Sequence, residues 1–138
     1  SEEENGPHGV SGNIYTEVDQ AIRFVKETGV DSLAVSIGTS HGKYKGTPKL
    51  NFARLIDLHK ALTVPLVLHG GSGTGDANLG RCALNGITKV NLYTDFITAA
   101  INYVYSEKPH NWLQLLQTGD KAMATVLQHY YRVLGCAH

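Results

Sequence analysis

Apolar residues along this chain alternate between two spacings. Val18, Ala21, Ile22 and Val25 recur at the helical period, with Thr16 placed as an N-cap and Gly29 as a stop, and a short apolar-rich run over 32–37 follows at strand length. The same alternation then repeats. A predicted helix carries Phe52, Leu55, Ile56 and Leu62. Pro65 introduces a strand over 66–68, a helix holding Leu79 and Cys82 ends near Gly86, and a third strand over 90–92 leads into a helix over 96–105. Beyond Pro109 the pattern predicts a short segment over 112–116, then a helix from about Asp120 to Leu134 with Gly135 as its C-cap, packed outside the sheet. Positions 1–14, acidic and then glycine-rich, carry no period and predict a loop or arm. The chain therefore divides into an arm (1–14), a strand–helix region (15–105) and a helical tail of the same domain (106–138).

Apolar strands separated by amphipathic helices predict a parallel sheet covered by helices, the α/β class, because both faces of a parallel sheet must be buried. Three strands alone leave two unpaired edges. The units therefore read as the last three of a (β/α)₈ barrel, a fold of typically about 250 residues. Composition adds mainly exclusions. Twelve Lys+Arg balance 12 Asp+Glu, and no basic run marks a nucleic-acid or membrane surface. No apolar stretch reaches the roughly 18 residues of a membrane span. Cys82 and Cys136 lack C-x-x-C spacing, which predicts free thiols and a cytoplasmic protein.

The candidate chemistry lies where strands end. Ser36-Ile37-Gly38-Thr39-Ser40-His41-Gly42 and Leu66-Val67-Leu68-His69-Gly70-Gly71-Ser72-Gly73 each close an apolar strand with histidine and glycine. On neighbouring parallel strands about 4.8 Å apart, His41 and His69 could reach one ion at about 2.0–2.1 Å. One strand-end histidine also fits a hydrogen-bonded packing role. Two in matching contexts favour a shared metal, with a third ligand needed from elsewhere. Gly70-Gly71-Ser72-Gly73 and Asn91-Leu92-Tyr93-Thr94 stand at strand-to-helix transitions, where backbone N–H groups, hydroxyls and a helix N-terminus suit a phosphate. A tight turn without a ligand is the plain alternative for the glycines. Barrels often bind phosphate in the loops after their last two strands. Neither the Walker A spacing nor the dinucleotide glycine fingerprint is present. Asp95 reads as a helix cap. His8, His59, His110, His129 and His138 share no spacing and read as surface or hydrogen-bonded residues, and Trp112, Tyr130 and Tyr131 as tail residues packed on the domain or a neighbouring subunit.

The ordered segments V-D-S-L-A-V-S-I-G-T-S-H-G, P-K-L-N-F-A-R-L, V-P-L-V-L-H-G-G-S-G and I-T-K-V-N-L-Y-T-D resemble class II metal-dependent ketose-bisphosphate aldolases, which include the fructose- and tagatose-bisphosphate enzymes. The resemblance covers nearly the whole chain and only the family's second half. It implies a (β/α)₈ barrel and a zinc ion bound by three histidines, two of them His41 and His69. The metal polarises the ketose carbonyl and stabilises the enediolate of dihydroxyacetone phosphate. The resemblance also implies phosphate contacts from Gly42, Lys43, Gly70, Gly71, Ser72 and Thr94, an enediolate contact from Asn91, and a monovalent cation near the phosphate. Tyr93 departs from the small or acidic residue that many relatives carry. The family's catalytic aspartate and first zinc histidine lie on an early strand outside this sequence. The implied partners are a phosphorylated ketose, a complementing N-terminal half and further copies of the chain. The reading from another class is a non-catalytic phosphosugar-binding or scaffold subunit.

Overall fold

The computed structural model describes residues 15–39 and 46–136. Among these, the element order is α1 (Val18–Thr28), β1 (Leu33–Ala34), α2 (Phe52–Ala61), β2 (Leu66–Leu68), α3 (Asp76–Leu84), β3 (Ile87–Val90), α4 (Thr94–Glu107) and α5 (Trp112–Val133). The predicted α/β class is the one observed. The three strands form one parallel sheet in the order β1-β2-β3, with Leu33 opposite Leu66 and Leu66 opposite Ile87.

Alternate strand residues supply the core. Val35, Ile37, Leu66, Leu68 and Ile87 join Ala21 of α1, Leu55 and Leu58 of α2, Leu79 and Cys82 of α3 and Tyr130 of α5 in one cluster. Burying each large aliphatic side chain there is worth about 1.5–3 kcal/mol. Cys82 is fully buried, and burial pushes its thiol up to about 11, so it is a packing residue. The intervening positions Ala34, Ser36 and Lys89 are exposed. They lie on the other side of the sheet, because successive strand side chains alternate.

Several boundaries differ from the expected ones, each for a tertiary reason. Thr16 does not cap α1. Its hydroxyl accepts from the Ser36 N–H at 2.8 Å, while its own N–H donates to the Ser36 carbonyl at 2.9 Å. The strand ladder itself covers Leu33–Ala34, shorter than 32–37, and Val35 still donates its N–H to the Val67 carbonyl at 3.1 Å before the chain pairs with Thr16. The third strand is Ile87–Val90 rather than 90–92. Thr88 and Lys89 hid it by being polar, and the register shift opposite Leu66 and Val67 accommodates them, with the Thr88 hydroxyl donating to the Leu66 carbonyl at 3.0 Å. Asn91 still donates to Leu68 at 2.8 Å before the chain turns off.

The tail is a single 22-residue helix and not a short segment followed by a helix from about Asp120. Its start is specified locally. Asn111 accepts from the Gln114 N–H at 2.9 Å and the Gln114 side chain accepts from the His110 N–H at 2.9 Å, a reciprocal arrangement akin to a capping box. The helix runs through Gly119, which is buried where α5 passes Ala100 of α4. Packing on α4 offsets the roughly 1 kcal/mol that glycine costs in a helix interior.

Candidate active site

The C-terminal ends of β2 and β3 deliver the predicted residues to one place. Leu68 is fully buried and the next residue, His69, is exposed at the rim. The loop that follows can be made only with glycine at several points: Gly70, Gly73 and Gly75 have φ of 67°, 75° and 90°, which side-chain-bearing residues avoid. The fully buried Thr74 folds this loop onto itself, its hydroxyl donating to the Gly70 carbonyl at 2.9 Å and its N–H to the Gly71 carbonyl at 3.1 Å.

Gly71 is required for a different reason. A Cβ there would lie 2.6 Å from Val90 Cγ1 and 2.9 Å from Leu92 Cδ2. Its N–H donates to the Asn91 carbonyl at 3.1 Å, so this close approach locks the two strand-end segments together. The buried Ser72 completes the join. Its Oγ accepts from the N–H groups of Tyr93 at 3.1 Å and Asp95 at 3.4 Å, capping α4 from outside, since the N-cap Tyr93 makes no side-chain cap. Thr94 opens the helix between those two donors. With its lone pairs so engaged, the Ser72 hydroxyl has its proton left to donate.

Asn91 faces His69. Its Nδ2 lies 3.2 Å from both Nδ1 and Nε2 of the imidazole. A nitrogen equidistant from both in the ring plane would overlap the intervening ring carbon, so the amide lies over the ring face. The in-plane lone-pair directions that a metal uses are not taken by this contact. The other end of the carboxamide is held by Lys89, whose Nζ donates to Asn91 Oδ1 at 2.5 Å. Sequence reasoning missed Lys89. Its signal was its position two residues before Asn91 on a strand, which puts both on one side of the sheet.

His69, Gly70, Gly71, Ser72, Asn91 and Thr94 are thus brought together as the motifs implied. His41, Gly42 and Lys43 lie outside the described residues. Among the described residues no group of three or more His, Cys, Asp or Glu is placed to hold a metal ion. His69 fits a metal by the chemistry of its donor and its exposed strand-end position, as one ligand of a set that the described residues do not complete.

Asp95 was read as a cap for its helix dipole. It has a second role that residues 35 apart in sequence do not advertise: its carboxylate accepts the hydroxyl of Tyr130 in α5. Burial first, then this hydrogen bond and the charges of Asp95 and Asp76, push the Tyr130 hydroxyl far above the usual tyrosine value, so it stays protonated and donating at any physiological pH. His129, read as a surface or hydrogen-bonded histidine, is exposed and lies 3.0 Å from Asp76. No described helix is long and apolar enough to cross a membrane.

Over residues 1–138 the chain matches the family model described as Fructose-bisphosphate aldolase class-II. It is 42% identical over 114 residues to the protein YdjI of Escherichia coli (strain K12), covering 83% of this chain and 41% of that protein. It is similar to the crystal structure of the YdjI aldolase from Escherichia coli K12, with a TM-score of 0.81 at 40% identity over 88% of this chain and 46% of that one. A candidate fructose-1,6-biphosphate aldolase from Coccidioides immitis gives a TM-score of 0.78 at 25% identity over 88% of this chain and 43% of that one. The Campylobacter jejuni fructose-bisphosphate aldolase shares the fold, with a TM-score of 0.67 at 21% identity over 89% of this chain and 45% of that one. The chain spans less than half the length of each of these relatives. It belongs to the class-II fructose-bisphosphate aldolase family.

Proposed function

We propose that this chain is the C-terminal part of a metal-dependent aldolase that reversibly cleaves a ketose 1,6-bisphosphate to dihydroxyacetone phosphate and an aldehyde phosphate. Its three strand–helix units would be the last three of a (β/α)₈ barrel. One observation carries the reading: an imidazole (His69) and a carboxamide (Asn91) meet at the ends of adjacent parallel strands, directly beside a glycine loop tied to a helix N-terminus. Metal, reacting carbon and phosphate would need those groups in that order along the rim.

In this reading His69 and His41 contribute two zinc ligands, and the third comes from the N-terminal half. Zinc, when bound, withdraws electron density from the ketose carbonyl. The residues of this chain do the rest of the binding. Lys89 holds Asn91 Oδ1, so the carboxamide keeps its N–H group on the His69 side, the correct end to donate to an oxygen that gains negative charge beside the metal ligand. Gly70, Gly71 and Thr94 line the phosphate position with Gly42 and Lys43, and the Ser72 proton donates to it. Anchoring a remote phosphate orients the carbon–carbon bond to be broken. The general acid/base is supplied by the N-terminal half.

Self-association fits the exposure of large apolar side chains on the last two helices, where Ile101, Tyr105, Trp112 and Leu113 are 49%, 76%, 71% and 63% exposed, area that a second copy would cover.

The test uses this chain together with its N-terminal half. The pair is expected to bind zinc and cleave fructose or tagatose bisphosphate, and His69→Ala to lose both the metal, measured by elemental mass spectrometry, and the activity. Stoichiometric zinc retained by His69→Ala would remove the ligand assignment. Cleavage at full rate by this chain alone would refute the division of catalytic groups, and phosphate binding without any cleavage by the pair would favour the scaffold reading.

A further inference from the structure

Two adjacent residues of the tail helix reach the first turns of two other helices, and both of those helices begin at the proposed phosphate position. His129 Nε2 lies 3.0 Å from Asp76 Oδ1, in the first turn of α3, directly after the glycine loop. The Tyr130 hydroxyl donates to Asp95 Oδ2, in the first turn of α4. The Asp95 N–H goes to Ser72 Oγ, so a line of contacts runs from the loop through α4 to the tail. Tyr130 is held firmly enough to act as an anchor: it is 8% exposed, with its ring centroid 6.3 Å from that of Phe96 and 5.3 Å from that of His129.

This arrangement addresses a conflict in the design of the site. An aspartate in a first helical turn favours the helix through its dipole. The same carboxylate repels an anion that docks at the same helix end, and the repulsion is strong where water is excluded. A carboxylate committed to a hydroxyl proton on the tail-helix side of α4 keeps its contribution to the helix while its charge is drawn away from the Ser72 turn.

We propose that Tyr130 is a positioning residue for phosphate binding: it holds the Asp95 carboxylate on the tail side of α4, so that the Ser72 turn and the start of α4 receive the phosphate without a competing carboxylate. The inference rests on the phosphate position of the preceding reading, and the experiment separates the two.

Binding of inorganic phosphate and of dihydroxyacetone phosphate is measured by calorimetry on the complete protein, with KM and kcat for the bisphosphate and with zinc content. Tyr130→Phe keeps the ring and removes the hydroxyl. It is expected to weaken phosphate binding about five- to tenfold and to raise KM by a similar factor, with kcat and zinc content within about twofold of the parent. Adding Asp95→Asn to Tyr130→Phe is expected to restore the affinity to within about twofold, because a neutral amide no longer repels the ligand. A purely structural defect would not be rescued by removing a charge. Asp95→Asn alone, which leaves the tyrosine in place, is expected to bind phosphate within about twofold of the parent. The proposal is overturned if the parent binds phosphate and Tyr130→Phe binds it equally well, if the double variant is not rescued, or if Asp95→Asn alone loses most of the affinity. If the parent binds neither inorganic phosphate nor dihydroxyacetone phosphate, the phosphate position itself is wrong and this inference falls with it.

Discussion

At Gly71 the absence of a side chain is a steric requirement and not a matter of flexibility. A methyl group would stand 2.6 Å from Val90 Cγ1 and 3.0 Å from the Asn91 carbonyl oxygen, and backbone on the β3 side cannot move without dragging Asn91 along. Gly71→Ala is therefore expected to cost about 1–3 kcal/mol of stability as an overpacking change, read as a lower midpoint in urea unfolding. Retention of the parent midpoint would mean that the two strand ends are not clamped. The sequence placed His69, Ser72 and Asn91 at strand ends correctly, because a histidine or asparagine after a short apolar run has few other places to be. It did not disclose that Ser72 Oγ caps α4 or that Lys89 grips Asn91. The first depends on how two distant segments pack, which is a property of neither one; the second is a contact between side chains two residues apart on one side of the sheet, for which the spacing alone names no partner.

Among the elements, α5 departs most from its pattern. The pattern predicts a short segment over 112–116 and a helix from about Asp120, and a single helix instead runs through Gly119. The reason is that helix propensity is a preference of about 1 kcal/mol at a glycine, whereas the packed face of α5 gains that much from one buried side chain. The geometry permits a stricter test. A Cβ at Gly119 would meet Ala100 Cβ at 3.9 Å, an ordinary contact, and no positive φ is present there. Gly119→Ala is thus expected to stabilise the protein by about 0.5–1 kcal/mol, seen as a rise in Tm. A fall would show that α4 and α5 approach more closely than described. Gly86 is the opposite case. With φ of 112° and a would-be Cβ 2.3 Å from His59 Cγ, the turn into β3 needs the glycine on both counts. The end of α1 at Gly29, which takes the left-handed conformation and donates to the Val25 carbonyl, was legible because a C-cap is written within a few residues.

For the molecule as a whole, the sheet is the unfinished part. β2 is bonded on both sides, whereas β1 and β3 each have one neighbour among the described strands, and Ala34, Ser36 and Lys89 are exposed on the side away from the core. If the three units are the end of a closed barrel, amide hydrogen exchange in this chain alone should be slowest in β2 and fast at the outer-facing amides of β1 and β3. Adding the N-terminal half should then slow both outer strands together. Equal protection of all three strands in the isolated chain would argue against barrel closure by a missing half. By itself the sequence determined the α/β class, the number of strand–helix units, the C-cap of α1 at Gly29 and the glycine-rich turn after His69, since each is dictated by local periodicity or by a backbone conformation that few residues can adopt. Tertiary structure alone decided the extent of β3, the continuity of α5, the external cap on α4 and the pairing of Tyr130 with Asp95. In each of these the deciding partner lies far away along the chain, and only packing brings it within reach.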